Sequence, residues 1–464
     1  MGGVVNVIPP PLPEAPEGEQ VVRGEVELRG ASNNIETDLV FRGEGASGPW
    51  AGRLTVAGRR SEALHTPEGE LENTGFAALN GGATVARRGS WGSVTGRYVR
   101  YGGEFKLLEE DAPPGGEGEE GEEEGPERKL SDDRLQILGN FPLGEDLRLE
   151  TRVQGQRHHL IELEDDPEAL SEGRRVEVSI FDLVLSTAYG EALLHHSLAP
   201  GTAGAVGVSG TMQRSTSDGV IPVVPDATMG SAGLFAVERM RKGPFTAMAG
   251  LRADVHQVDG NDRPNRSFQA LTWSAGGVWE AARGLAVSVN LGTAWRSPTL
   301  FELFASGPRL GEARYEIGRV DLEEERSLNL DAGVRWEGSG IRAHLAAFRN
   351  GFNRFLFIQP TEEFRDGYQV FRYEQADALL WGGEASLEVE PSPILLLEAR
   401  ADWVRGTNED RDEPLPLMPP PRYDLRAELH GSWPSWADRA HVGVEGEYVP
   451  EPDRLNPYDV PVGD

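Results

Sequence analysis

The sequence predicts an all-β fold, a transmembrane antiparallel up-and-down β-barrel. Apolar residues recur with a period of two from Val21 to about Tyr448, helical patterning is nearly absent, and connection lengths alternate. Tight connections such as 88–90 and 337–340 alternate with long ones such as 296–325. A soluble sandwich would also show alternating side chains, because it buries the apolar faces of two sheets against each other. The connection lengths favour the barrel, since outer-membrane barrels have tight periplasmic turns and long extracellular loops.

The period-two pattern divides the chain into nineteen strands. Over 285–295, for example, Leu285, Val287 and Val289 alternate with small or polar residues. The strands are predicted at 21–30, 34–43, 50–60, 73–87, 91–101, 132–141, 147–157, 175–197, 203–214, 231–241, 245–258, 268–281, 285–295, 326–337, 341–355, 368–389, 394–405, 422–432 and 439–448.

Composition excludes several classes of protein. No apolar run approaches the roughly 18 residues of a transmembrane helix, which excludes a helical membrane protein. The net charge of -31 opposes binding to nucleic-acid phosphates and favours attraction of cations. With no cysteine, the chain has no disulfide, thiolate metal site or cysteine nucleophile. Hydrolase, phosphate-loop and zinc-protease motifs are also missing from the sequence, so we predict no enzyme and no cofactor. The acidic segment 109–129 is expected to be a solvated loop.

Two motifs resemble a known family. Residues 295–304 read Trp-Arg-Ser-Pro-Thr-Leu-Phe-Glu-Leu-Phe, and residues 322–330 read Leu-Glu-Glu-Glu-Arg-Ser-Leu-Asn-Leu. They resemble the aromatic-Arg-x-Pro-Thr-x-x-Glu-Leu and Leu-x-x-Glu-x-Ser elements of TonB-dependent outer-membrane receptors, which lie in a late extracellular loop and at the start of the next strand. Residues 2–8, Gly-Gly-Val-Val-Asn-Val-Ile, look like the end of the plug domain of the same family.

The resemblance implies the organisation of the chain. Residues 1–18 would be the residual end of a plug domain and a linker, and 19–464 an incomplete barrel. Receptors of this family have barrels of the 22-stranded type, of which about nineteen strands are present here. We therefore expect a truncated reading frame or a gene fragment.

The resemblance also implies a function at the outer membrane. It implies uptake of an extracellular metal ion or metal chelate, powered by the TonB complex acting through the missing plug region, in a barrel surrounded by outer-membrane lipid. Short runs at 204–208, 234–238, 383–385 and 414–422 look like the zinc-uptake branch, which favours zinc as the transported ligand. A passive channel or an adhesion barrel is the alternative at the outer membrane, and a soluble β protein is a third reading.

One cluster has the residue types of a metal site. Imidazole and carboxylate ligands suit Zn²⁺ and related divalent ions. Neighbouring residues of a strand point to opposite faces, so the two adjacent histidines of the cluster can share one ion only if the chain leaves strand geometry there. A polar loop with two surface histidines is the simpler alternative. The candidate ligands, which our topology places in the fourth extracellular loop, are His158, His159, Glu162, Glu164, Asp165 and Asp166.

Overall fold

Nineteen long antiparallel strands form one sheet, as the sequence predicts. The computed structural model describes residues 9–457 except 68, 72, 108–125, 166–175, 221, 310, 311, 313 and 434–436. Residues 2–8, which resemble the end of a plug domain, and most of the acidic segment 109–129 therefore lie outside the described residues.

The strands are numbered here in chain order, counting only the long ones. They are β1 Gln20–Ala31, β2 Glu36–Ser47, β3 Trp50–Ser61, β4 Phe76–Gly89, β5 Gly92–Lys106, β6 Glu127–Pro142, β7 Leu147–Asp165, β8 Glu177–His196, β9 Thr202–Asp218, β10 Ala227–Lys242, β11 Phe245–Gly260, β12 Arg266–Ala282, β13 Leu285–Arg296, β14 Glu325–Gly338, β15 Ile341–Arg365, β16 Tyr368–Ser392, β17 Leu395–Asn408, β18 Arg422–Trp433 and β19 Ala437–Tyr448.

Each long strand pairs with the next one along the chain. All of these ladders are antiparallel, which gives the up-and-down order from β1 to β19. In the described part of the chain, no ladder joins β1 to β19. The connections are short at one end of the sheet, as at 48–49 and 339–340. At the other end most are longer, as at 297–324, although the turn at 366–367 has only two residues. This alternation confirms the predicted topology.

Several strands run further than the sequence predicts, β7 and β15 by the most. β7 continues from the predicted end at 157 to Asp165, and β15 continues from 355 to Arg365. β15 and β16 then meet in a two-residue turn, Asp366-Gly367, in which both residues have positive φ. The register of the ladder between β15 and β16 shifts between Phe352 and Phe355, and backbone pairing resumes beyond this irregularity.

The two faces of the sheet differ in chemistry. Large apolar side chains such as Val26, Phe41 and Leu271 are exposed on one face, which is the face that lipid would cover. The opposite face carries ion pairs between neighbouring strands, for example Arg42 with Glu25. Among the described residues, no helix is both long and apolar enough to cross a membrane.

The described residues also include short elements in the long connections. One helix, α1 Leu300–Phe304, and two short strands, Ser306–Arg309 and Arg314–Ile317, lie between β13 and β14. The second of these strands pairs in parallel with β16. A small hairpin, Leu64–Thr66 with Gly69–Leu71, lies between β3 and β4, and Glu413–Pro414 adds to β17.

Candidate functional site

Five of the six predicted metal ligands lie on a strand and not in a loop, so that part of the prediction was wrong for them. His158 pairs with Asp132 of β6 on one side and with Leu185 of β8 on the other. Both ladders continue beyond the histidines, and the one with β8 reaches Asp165. The reason is that β6 pairs with β7 as far as Leu163 and β8 pairs with it as far as Asp165, so most of the polar end of β7 keeps backbone partners on both sides.

The strand geometry sends the two histidines to opposite faces. Nδ1 of His158 lies 3.5 Å from Oδ2 of Asp132, whereas Nε2 of His159 lies 2.7 Å from Oδ1 of Asp182. Glu162 accepts a hydrogen bond from Arg128 of β6. Glu164 and Asp165 end the strand, and Asp166 lies outside the described residues.

These positions do not assemble the predicted cluster. Among the residues that the structure describes, no group of three or more histidine and carboxylate side chains is placed to hold a metal ion. The six candidates therefore remain a prediction from sequence, with at most one histidine available to each face of the strand.

A second candidate site is the connection between β13 and β14, here called the inner loop (residues 297–324). Its first turn is α1, which is held by a capping box. The Thr299 side chain accepts a hydrogen bond from the Glu302 amide, and the Glu302 carboxylate accepts one from the Thr299 amide at 2.7 Å. This reciprocal pairing satisfies amide groups that a helix start leaves free, so even a helix of one turn is defined here.

The inner loop is packed among strands from distant parts of the sheet. Its Leu303 and Leu322 are fully buried, Leu322 with 0% exposure. They belong to one apolar cluster with Phe181 of β8, Val258 of β11 and Leu356 of β15. The inner loop therefore packs against the inner face of the sheet, in contact with strands between β8 and β15.

Arg296, the last residue of β13, ties both ends of the inner loop together. Its Nη1 donates to both carboxylate oxygens of Glu302 at 2.9 Å, and its Nε lies 3.5 Å from Oε2 of Glu325. Glu325 also accepts a hydrogen bond from the Leu356 amide at 2.9 Å. Arg296 and Glu302 belong to the first family motif, and Leu322 and Glu325 to the second. The motif residues therefore meet in space and fix the loop in place.

A second set of charges joins the inner loop to β6 and β7. Nε of Arg128 donates to Glu162 at 3.0 Å, and Arg128 also lies 3.9 Å from Glu312 of the loop. Glu162 is 1% exposed, and its Oε2 has no hydrogen-bond partner among the described atoms. Arg309 donates to Glu312 at 3.1 Å. A residue predicted as a metal ligand, Glu162, thus contributes to a salt-bridge network.

The charge of Glu312 is stabilised by this arrangement. Burial opposes ionisation of its carboxyl group, but the hydrogen bond and the charge of Arg309 outweigh that effect and lower the pKa of Glu312. Arg309 itself lies over the Phe301 ring, 4.8 Å from its centroid. Sequence reasoning missed Arg128, Arg309 and Glu312, because nothing in an acidic chain distinguishes the few charges that meet in the interior.

Comparison with known proteins places the chain among receptors. Residues 181–461 match the family model described as TonB dependent receptor-like, beta-barrel. Transferrin-binding protein A of Neisseria gonorrhoeae is 28% identical over 122 residues, which is 26% of this chain and 13% of that protein. The alignment therefore spans a small part of this curated relative.

Solved structures of the same architecture superpose on nearly the whole chain. The copper transporter OprC matches with a TM-score of 0.80 at 17% identity, covering 96% of this chain and 71% of that one. The FrpB iron transporter from Neisseria meningitidis, F3-3 variant, matches with a TM-score of 0.69 at 14% identity, covering 93% and 68%. The ferric-catecholate import receptor Fiu from E. coli K12 matches with a TM-score of 0.66 at 14% identity, covering 93% and 70%.

These matches confirm three predictions from sequence: the receptor family, the outer-membrane location and the absence of an enzymatic role, since the family consists of receptors and transporters. They do not distinguish one transported ligand from another. The match over residues 181–461 covers more than half of the chain. The chain belongs to the TonB-dependent receptor-like β-barrel family of the outer membrane.

Proposed function

We propose that the chain is the barrel of a receptor that takes up a metal ion or metal chelate across the outer membrane. The observation that carries the proposal is the inner loop, which is packed against the inner face of the sheet and bonded at both ends by Arg296. A passive channel needs a continuous aqueous path, whereas a gated receptor needs a closure that can be released. The names of the structural neighbours, a copper transporter and an iron transporter among them, support metals as the class of ligand.

The organisation that the sequence suggests belongs to the same proposal. Residues 1–18 would be the end of a plug and its linker, and 19–464 a barrel that is incomplete relative to the 22-stranded type. TonB would act through the plug, and the barrel wall would contact outer-membrane lipid. These features would couple release of the ligand to energy supplied from the periplasm.

Zinc is the finer proposal for the ligand. The pair His158 and Asp132 supplies an imidazole nitrogen and a carboxylate oxygen 3.5 Å apart, and Gln156 donates to the same carboxylate at 2.6 Å. Nitrogen and oxygen ligands of this kind suit Zn²⁺. Two protein ligands form a weak, open site, which is compatible with an ion that must be passed on.

A cellular assay tests the uptake proposal. Cells that express the complete gene would be compared with and without TonB for accumulation of zinc, copper and iron by mass spectrometry. TonB-dependent accumulation of one metal supports the proposal, and accumulation of zinc supports its finer form. Equal accumulation of all three metals in cells without TonB would favour the passive channel instead.

A binding assay tests the zinc contact separately. Titration calorimetry with Zn²⁺ should show about tenfold weaker binding for His158→Ala, the loss expected for one ligand contact of about 1.4 kcal/mol. His344→Ala, a histidine on β15 far from the pair, is the matched control and should bind as the original chain does. Equal affinities in all three proteins would remove the zinc contact and leave the uptake proposal to the cellular assay.

A further inference from the structure

Two arginines lie on the lipid-facing surface at the same level of the sheet, two strands apart. Arg157 of β7 is directly opposite Ser186 of β8, and Ser186 is directly opposite Arg214 of β9. With about 4.8 Å between neighbouring strands, the two arginine backbones are about 10 Å apart, close enough for both side chains to reach one anion. Period two puts Arg157 on the face of exposed Val153, and Arg214 on the face of exposed Met212.

Neither arginine is neutralised by the protein. Both are exposed, and neither makes an ion pair, hydrogen bond or ring contact within the described part of the chain. Asp133 is opposite Arg157, but it bonds instead to Tyr98 and to Arg100 on the other side, the latter at 3.3 Å.

Three more carboxylates lie on this face: Asp182 of β8, Asp218 at the end of β9, and Asp259 of β11, which is two strands from Arg214 through Thr228. Among the described residues, Asp218 and Asp259 make no ion pair with either arginine. Asp182 of β8 bonds to Nε2 of His159 at 2.7 Å. Two positive charges are therefore left without partners in a chain whose net charge is -31. Arginine recognises phosphate through paired donors, so a phosphate group complements this arrangement.

The position of the arginines identifies the source of the phosphate. Each arginine stands one or two side chains beyond the exposed apolar residues of its strand, on the end of the sheet that carries the long connections. In an outer-membrane barrel this is the extracellular border of the apolar band. Directly below them on the same face, Gly155 and Ala188 pair with each other and leave space for an acyl chain.

We propose that Arg157 and Arg214 bind the phosphate of a phosphorylated lipid of the outer leaflet, with Ser186 between them. The acyl chains of this lipid lie along the small residues Gly155 and Ala188. The lipid is bound to the outside of the barrel wall, so this site is separate from the path of any transported ligand.

The test measures lipid retention by the purified chain. Native mass spectrometry in detergent would follow binding of a bis-phosphorylated acyl-glucosamine lipid to the original chain and to an Arg157→Gln, Arg214→Gln double variant. We expect about thirtyfold weaker binding in the double variant, because each surface arginine contributes about fivefold to binding of an anionic lipid. Arg152→Gln changes the same residue type on the same strand but on the opposite face, and it should bind as the original chain does.

Two further arms identify the ligand. The same lipid after removal of its phosphates should bind no better to the original chain than to the double variant. Inorganic phosphate at millimolar concentration should not displace the lipid, since it lacks acyl chains. Equal retention by the original chain and the double variant, with both folded by heat-dependent electrophoretic mobility, would overturn the proposal. Equal binding of the dephosphorylated lipid, or displacement by free phosphate, would overturn it as well.

Discussion

Replacing Arg296 by glutamine should open the inner loop without unfolding the barrel. The guanidinium group of Arg296 bridges Glu302 at the start of the loop and Glu325 at its end. It also donates to the Leu356 carbonyl at 3.3 Å. Glutamine removes the positive charge and leaves two carboxylates facing each other in the closed state.

The size of the effect follows from burial. The side chains of Glu302 and Glu325 are only 12% and 6% exposed, so water screens little of the lost charge. Removing one partner of such a buried ion pair costs about 3 to 5 kcal/mol. Because Arg296 itself is 33% exposed, we take the lower value. A cost of about 3 kcal/mol raises the ratio of open to closed inner loop about a hundredfold.

Hydrogen exchange measured by mass spectrometry reads this ratio directly. Amides of α1 should exchange about a hundredfold faster in Arg296→Gln, while amides of β9 to β12 keep their protection. Arg335→Gln is the matched control, because Arg335 is exposed and lies at the end of β14 away from Glu325. This change should alter the free energy of unfolding by less than about 0.5 kcal/mol. Adding Glu325→Gln to the Arg296 variant should restore part of the protection. Unchanged exchange of α1, or no recovery in the double variant, would refute the assignment of Arg296 as the residue that holds the loop.

Three further predictions concern packing, pH and a turn. Leu322→Ala should cost about 2 to 5 kcal/mol, because the side chain is fully buried, and faster exchange across the inner loop checks it. The lowered pKa of Glu312 means that its pairing with Arg309 stabilises the closed loop above the ordinary glutamate pKa, and that this contribution is lost as the pH falls through the lowered value. Loop protection should therefore fall in acid for the original chain and less so for Glu312→Gln, and identical pH profiles would contradict this. Gly92→Ala places a Cβ 2.1 Å from the Asn140 carbonyl oxygen at a φ of 119°, so a loss of about 1 to 3 kcal/mol is expected in the thermal transition followed by electrophoretic mobility.

The strands could be predicted from sequence far better than their ends. Alternation of apolar and polar residues identifies a strand wherever one face meets lipid, and all nineteen long strands were found in this way. Beyond the apolar band both faces are polar, and the pattern carries no information about pairing. β7 therefore ran on to Asp165 and β15 to Arg365, because their neighbours supplied backbone partners there.

The site was harder to predict than the strands, because proximity in a barrel depends on register. His158 and His159 are adjacent in sequence, yet they contact Asp132 and Asp182 on opposite faces of the sheet. Arg128 and Glu312 are 184 residues apart in sequence and yet lie 3.9 Å apart. Only the ladder registers and the path of the inner loop decide which charges meet, and neither follows from local pattern.

The two family motifs have a structural explanation that limits what they can say about the ligand. Arg296 and Glu302 belong to the first motif and Glu325 to the second, and these three side chains form one ion-pair junction. Leu322, also of the second motif, fills the apolar cluster beneath the loop. Every one of these interactions holds the closed loop to the barrel, and none presents a free ligand atom to a metal. The motifs therefore account for how the inner loop is held to the sheet, and they do not favour one proposed ligand over another.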